Sequence, residues 1–133
     1  MKIQVRYYSR SGNTKALAEA IAKGVNTKAI AINDKNSSIQ DKVDILFIGG
    51  ALYAYGLDNK LKEYIANLDA NKVSKAIFFS TSWISKHSID LIKKALKNKG
   101  IDVEENYIYY KNKPKENELK EASDIAKKMI DNI

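Results

Sequence analysis

The chain has 133 residues, with 23 Lys and Arg against 16 Asp and Glu, a net charge of +7, no cysteine and one histidine. At this length we expect a single domain spanning residues 1–133. The lack of cysteine excludes disulfides, thiolate metal sites, iron–sulfur clusters and a cysteine nucleophile, and one histidine leaves no histidine-rich metal site. Redox chemistry would therefore need a bound cofactor.

The positive charge has two readings that the sequence leaves open. A charge of +7 attracts nucleic acids, anionic membranes or acidic proteins. All the basic residues except Arg6 and Arg10 are lysines, however, and a composition biased toward A/T-rich codons would give the same excess. No apolar run is long enough to span a membrane, and residues 1–6 lack the apolar core of a signal peptide. We therefore expect a soluble cytoplasmic protein without membrane association.

Short apolar runs alternate with longer amphipathic segments, which is typical of an α/β domain. The first strand is predicted at residues 3–8, although Gln4 and Arg6 are more polar than a strand buried on both faces would favour. A helix follows from about Asn13, and Gly24 stands where a glycine would end it. Further strands are predicted at 27–32, 43–48, 76–79 and 103–110, with helices following residue 58, at 88–99 and following residue 117; residues 33–41 leave room for only a short helix.

Five βα units are too few for an eight-unit barrel, so the pattern predicts an open, mostly parallel sheet with helices on both faces. In such sheets, ligands bind outside the carboxyl ends of the strands. The loops at that end would be residues 9–14, 49–58 and 80–87.

The first of these loops reads Ser-Arg-Ser-Gly-Asn-Thr and opens onto a helix. A helix N-terminus offers unpaired N–H groups and a positive partial charge, and the hydroxyl and amide side chains add donors for phosphate oxygens. Capping alone would explain one of these residues. Since neither the nucleoside-triphosphate loop motif nor the glycine-rich dinucleotide motif is present, a monophosphate is favoured.

The other two loops carry Tyr53, Tyr55 and Trp83. Any one of them could simply cover the core, but together they fit a flat ring stacked between aromatic side chains. The three loops therefore predict a pocket for a monophosphate attached to a planar heterocycle.

These residues resemble the flavodoxin family. Residues 8–14, Tyr-Ser-Arg-Ser-Gly-Asn-Thr, are similar to its S/T-x-S/T-G-N-T phosphate loop, and the resemblance extends over essentially the whole chain. It implies a three-layer α/β sandwich with a five-stranded parallel sheet in the order 2-1-3-4-5 and helices on both faces. It also implies flavin mononucleotide (FMN) as the cofactor. The cofactor-binding residues that it indicates are Ser9, Arg10, Ser11, Gly12, Asn13, Thr14, Ala51, Leu52, Tyr53, Ala54, Tyr55, Gly56, Ser80, Thr81, Ser82 and Trp83.

Within this set, Arg10 occupies the motif's variable position, where family proteins need only the backbone. Trp83 matches the aromatic residue that stacks on the outer face of the flavin ring. The chain departs from many short flavodoxins by lacking acidic residues directly after Gly56-Leu57-Asp58 and glycines in the third loop.

The resemblance implies an electron carrier that shuttles single electrons between redox enzymes, with no catalytic or metal-binding residue of its own. The alternative is a small FMN-dependent reductase acting on a quinone or similar acceptor. Because flavodoxins are typically acidic, the net positive charge suggests redox partner proteins with an acidic docking face. We expect a monomer. A phosphorylated signalling receiver is disfavoured by the lack of acids at the strand ends, and nucleic-acid binding by lysines scattered among acids.

Overall fold

The computed structural model describes residues 1–50, 52–53, 56–81 and 86–133; for residues 52–53, 56–57 and 86–88 it gives the backbone. The strands are β1 (Ile3–Tyr7), β2 (Ala29–Ala31), β3 (Val43–Gly49), β4 (Leu52–Tyr53), β5 (Gly56–Leu57), β6 (Val73–Ser80), β7 (Asp102–Val103) and β8 (Ile108–Tyr109). The helices are α1 (Asn13–Gly24), α2 (Asn59–Ala66), α3 (Lys86–Asn98) and α4 (Glu116–Asp131), and a 3₁₀ turn lies at Ala70–Lys72.

The main sheet is parallel and has the order β2-β1-β3-β6, with β7 and β8 both pairing with the outer edge of β6. Counting β7 and β8 as one position, this is the predicted order 2-1-3-4-5, and that prediction is confirmed. The short strands β4 and β5 form a separate antiparallel pair in the second loop, which the sequence did not predict.

The predicted fifth strand at residues 103–110 is interrupted, so this boundary was wrong. Val103 pairs with Ala76 and Ile108 pairs with Phe79. The partners on β6 are three residues apart and those on the outer chain are five apart, so the outer chain must bulge between β7 and β8. The sheet therefore has six strands, with β7 and β8 sharing one edge.

Helices cover both faces of the sheet, as predicted. On one face, β1, β3 and β6 contribute Val5, Phe47 and Ile77 to a core closed by α1 and α4. On the other face, β3 and β6 contribute Leu46 and Phe78 to a core closed by α2 and α3. Because successive side chains enter opposite cores, β3 is apolar except for Asp44, and β6 is apolar from Ala76 to Phe79.

Residues 33–41 form turns rather than the short helix for which the sequence left room. Beneath them lies the buried Arg6, 3% exposed, whose Nε donates to the Ser37 carbonyl oxygen at 2.8 Å. Its NH1 donates to the Gln4 side chain and to the Val5 carbonyl oxygen, and the Tyr64 hydroxyl donates to the same Ser37 oxygen. Burial lowers the pKa of Arg6. The polar residue that looked anomalous in a buried strand is thus held by the segment that covers it.

Gly24 lies within the last turn of α1, and the left-handed residue that follows the helix is Asn26, with φ of 58°. Gly24 was expected to follow the helix as its C′ glycine; it is instead the last helical residue, so that prediction was wrong. A Cβ at Gly24 would lie 2.3 Å from the Ser123 carbonyl oxygen, so the glycine lets α4 approach α1 closely. The Ser123 hydroxyl donates to the Ala20 carbonyl oxygen at 2.6 Å across the same contact.

Candidate functional site

The phosphate loop predicted at residues 9–14 connects the carboxyl end of β1 with the start of α1. Gly12 is the N-cap residue of α1 and has φ of 91°, a left-handed conformation that glycine adopts without strain. Because glycine has no side chain, the first-turn N–H groups of α1 receive no capping oxygen from this position. The space around Gly12 is open, since a Cβ built there would meet nothing within 4 Å.

Two serines shape this loop from within. The Ser9 hydroxyl oxygen accepts from the Gly12 N–H at 3.0 Å, and the Ser11 hydroxyl oxygen accepts from the Asn13 N–H at 3.3 Å. In both contacts the serine oxygen is the acceptor, so each hydroxyl keeps its own hydrogen for another acceptor. The loop therefore presents hydroxyl donors beside a helix N-terminus, which is the donor set that phosphate oxygens require.

The first loop is tied to the third through Thr14 and Thr81, whose hydroxyl oxygens lie 2.9 Å apart. Both residues are buried, at 3% and 4% exposure. Thr81 also accepts a hydrogen bond from the Asn112 N–H through its carbonyl oxygen. Sequence reasoning placed Thr14 and Thr81 in the same pocket, and the structure brings their side chains into contact.

The second and third loops are tied through Ser80, which is completely buried. Its hydroxyl donates to the Gly50 carbonyl oxygen at 2.8 Å. Gly50 follows β3 and Ser80 ends β6, so this bond joins two neighbouring strands where their carboxyl ends open into loops.

The first and second loops are tied through an ion pair that the sequence did not predict. Arg10 NH2 lies 3.0 Å from Asp58 Oδ2, and Asp58 is buried at 2% exposure. Asp58 is the N-cap residue of α2, and its Oδ1 accepts from the Lys60 N–H at 2.8 Å. An Asp directly before a helix can be recognised in a sequence as a cap. Its pairing with Arg10 could not be, because it depends on the sheet order.

Several predicted site residues lie partly or wholly beyond this description. Ala51, Ala54, Tyr55, Ser82 and Trp83 lie outside the described residues. Leu52, Tyr53 and Gly56 are described by their backbone, as parts of the β4–β5 pair. The binding roles of these residues, and of those in the first loop, remain predictions.

A cavity of about 470 Å³ lies elsewhere, between residues 32–39 and α2. Its described lining includes Ile39, Tyr64 and Leu68 but none of the predicted site residues. Among the described residues, no group of three or more His, Cys, Asp or Glu side chains could hold a metal ion. Nor does any helix in the described ranges have the length and apolarity needed to cross a membrane.

A family model described as "Flavodoxin domain" matches residues 4–117, which is most of the chain. The chain belongs to the flavodoxin domain family. This membership confirms the resemblance seen in residues 8–14, and it implies FMN as the cofactor. A comparison with curated protein sequences gave no significant match.

Solved structures share the flavodoxin fold at low sequence identity. An archaeal flavodoxin is 23% identical with a TM-score of 0.72, covering 99% of this chain and 98% of that one. Oxidised flavodoxin 1 from Bacillus cereus is 17% identical with a TM-score of 0.77, covering 100% and 99%. The Flv1 flavodiiron core from Synechocystis sp. PCC6803 is 21% identical with a TM-score of 0.74, and the match covers 99% of this chain but 36% of that protein.

The described residues fit the phosphate end of FMN. The open space at Gly12, the first-turn N–H groups of α1 and the hydroxyls of Ser9 and Ser11 supply neutral donors at one point. A phosphate accepts hydrogen bonds and carries negative charge, so donors beside a positive helix end are complementary to it.

Proposed function

We propose that this protein is an FMN-binding electron carrier that passes single electrons between redox proteins. The observation that supports the proposal is the loop at residues 9–14 of a flavodoxin-family chain, which lies at the N-terminus of α1 and contacts both neighbouring loops. Bound FMN would supply the redox chemistry. The residues of this chain would bind it, exclude water from it and set the electrostatics around it.

In this proposal the residues of the three loops have different roles. Ser9, Ser11, Asn13, Thr14 and the backbone around Gly12 would hold the phosphate. The second and third loops, with Tyr53, Tyr55 and Trp83, would enclose the ring. Ser80 and Thr81, both buried, would act mainly by holding those loops in place.

The experiment is a titration of the purified protein with FMN, followed by stepwise reduction of the complex. We expect tight binding, seen as quenching of flavin fluorescence, and reduction in two separable one-electron steps. Absence of binding would refute the proposal. Sustained turnover of NAD(P)H with a quinone would instead identify a reductase, the alternative that the sequence left open.

The partner proposal rests on the charges around the loop end of the sheet. Exposed lysines at this end are Lys15, Lys60, Lys111, Lys113 and Lys115, while Glu116 and Glu118 lie in the first turn of α4. At the opposite end, Lys2 pairs with Asp41 at 3.0 Å, and Lys75 pairs with Glu104 at 3.0 Å. Lysines thus outnumber acids among these residues at the end where the cofactor would bind, which suits a partner with an acidic docking face.

Salt dependence tests this partner proposal. Electrostatic steering raises association rates at low salt and is screened as ionic strength increases. We therefore expect electron transfer to an acidic redox protein to slow steeply with added salt. Transfer rates that do not change with salt would favour codon bias as the origin of the lysines.

A further inference from the structure

Arg10 lies in the phosphate loop, but its guanidinium group points to a carboxylate. Its NH2 atom is 3.0 Å from Asp58 Oδ2, and its side chain is 63% exposed while that of Asp58 is 2% exposed. Asp58 Oδ2 makes no hydrogen bond to a described residue, so the contact with Arg10 is mainly Coulombic. The only arginine in the loop therefore already has an anionic partner.

Asp58 is held firmly by its own helix. Its Oδ1 accepts from the Lys60 N–H at 2.8 Å, and its carbonyl oxygen accepts from the Lys62 N–H at 3.0 Å. The carboxylate therefore has a fixed position at the N-terminus of α2, directly after β5. An arginine that pairs with it connects the phosphate loop to this position.

A buried carboxylate beside the phosphate site would work against cofactor binding if it were alone. Burial of an unpaired charge is costly, and a negative charge near the loop would repel an incoming phosphate. The cation of Arg10 removes both problems. The loop can then bind the phosphate with neutral hydroxyl and N–H donors, while its arginine pairs with Asp58.

We infer that Arg10 is a positioning residue for the cofactor: it acts through Asp58, tying the phosphate loop to the end of the second loop and neutralising the buried carboxylate. This role differs from that of a phosphate ligand, and also from that of a variable position that supplies only backbone. The inference rests on the proposed binding of FMN.

A double-mutant cycle on FMN affinity tests the inference. The variants are Arg10→Gln, Asp58→Asn and the double variant, with binding measured by quenching of flavin fluorescence. Asparagine caps helices as well as aspartate does, so Asp58→Asn removes the charge and keeps the cap. We expect Arg10→Gln to weaken FMN binding about threefold to tenfold in the native background and less than twofold in the Asp58→Asn background.

The control is Lys15→Gln, which also removes one positive charge, in this case from the first turn of α1. No ion pair links Lys15 to Asp58 among the described residues, and Lys15 is exposed. We expect its effect on FMN affinity to be equal in both backgrounds. Arg10→Lys should recover most of the lost affinity, because lysine can carry the same charge toward Asp58.

Each alternative outcome is distinct. An equal loss from Arg10→Gln in both backgrounds would mean that Arg10 acts independently of Asp58, for example on the phosphate, and would overturn the inference. No loss in either background would also overturn it. If the native protein fails to bind FMN, the proposed function fails instead, so the two failures cannot be confused.

Discussion

The contact between Thr14 and Thr81 allows a quantitative test of how the phosphate loop is held. Their hydroxyl oxygens are 2.9 Å apart, and exposures of 3% and 4% leave little room for water to replace either partner. Thr81→Val preserves the shape of the side chain but leaves the Thr14 hydroxyl without this partner. An unsatisfied buried hydroxyl costs about 1–3 kcal/mol, so we expect the free energy of unfolding of the cofactor-free protein to fall by that amount.

The double variant Thr14→Val/Thr81→Val separates this bond from the packing. Replacing both partners by apolar groups of the same shape removes the unsatisfied hydroxyl, so the double variant should lose less stability than the two single variants combined. We expect a coupling of about 1 kcal/mol or more between the two sites.

Equilibrium unfolding in urea, followed by circular dichroism, measures these differences. A loss of about 2 kcal/mol with an m value of about 2 kcal/mol/M shifts the midpoint by about 1 M. Thr27→Val is the control, since Thr27 is the chain's remaining threonine and is half-buried. We expect it to change stability by less than about 0.5 kcal/mol. If Thr81→Val is as stable as the native protein, or if the single losses simply add, the reasoning is refuted.

Three further predictions follow from the same structure. Thr14→Val should weaken FMN binding about tenfold or more and riboflavin binding less, because both ligands lose the Thr14–Thr81 contact between the loops but only FMN has the phosphate that the hydroxyl would contact; equal losses for both ligands would contradict this. Gly24→Ala should lower the free energy of unfolding, measured in urea, by about 1–3 kcal/mol, because the new Cβ would lie 2.3 Å from the Ser123 carbonyl oxygen. The control is Lys23→Ala, which changes an exposed residue of the same helix and should not lower it. A Gly24→Ala protein more stable than the native one would show that α4 moves freely. Burial and the hydrogen bond to Glu121 raise the pKa of Tyr110 in the folded protein. Above the unfolded-state pKa of about 10 the unfolded chain loses this proton first, so the free energy of unfolding falls as pH rises. Tyr110→Phe should make this fall with pH less steep, and an unchanged slope between about pH 10 and pH 11 would count against this account.

Most of the sheet could be predicted from the sequence because its information is local. Apolar runs such as the one in β3 indicate strands buried on both faces, and amphipathic segments such as α1 indicate helices that cover them. Parallel connections then place the ends of the strands together, which brings residues 9–14, 50 and 80–81 to one edge without any knowledge of side-chain contacts. The prediction of a phosphate site at residues 9–14 starts from this placement.

The features that sequence reasoning missed depend on contacts between distant residues. The turns at residues 33–41 cover the buried Arg6, which needs the Ser37 carbonyl oxygen as an acceptor. Gly24 is required by Ser123, almost a hundred residues later, rather than by the end of its own helix. The interruption of the fifth strand depends on its register against β6. No periodicity in the sequence encodes any of these requirements.

Three contacts between the loops explain how a binding site made of neutral donors can be rigid. Arg10–Asp58 joins the first loop to the second, Thr14–Thr81 joins the first to the third, and Ser80–Gly50 joins the second to the third. Because each contact links a different pair of loops, their relative positions are fixed before a ligand binds, and less conformational entropy is lost on binding. One cation of the loop is used within this network, and in the proposed binding mode the phosphate would be held by hydroxyl and N–H donors. The exposed lysines around the binding site then remain available to attract a partner rather than the cofactor, so screening by salt should weaken partner association more than it weakens FMN binding.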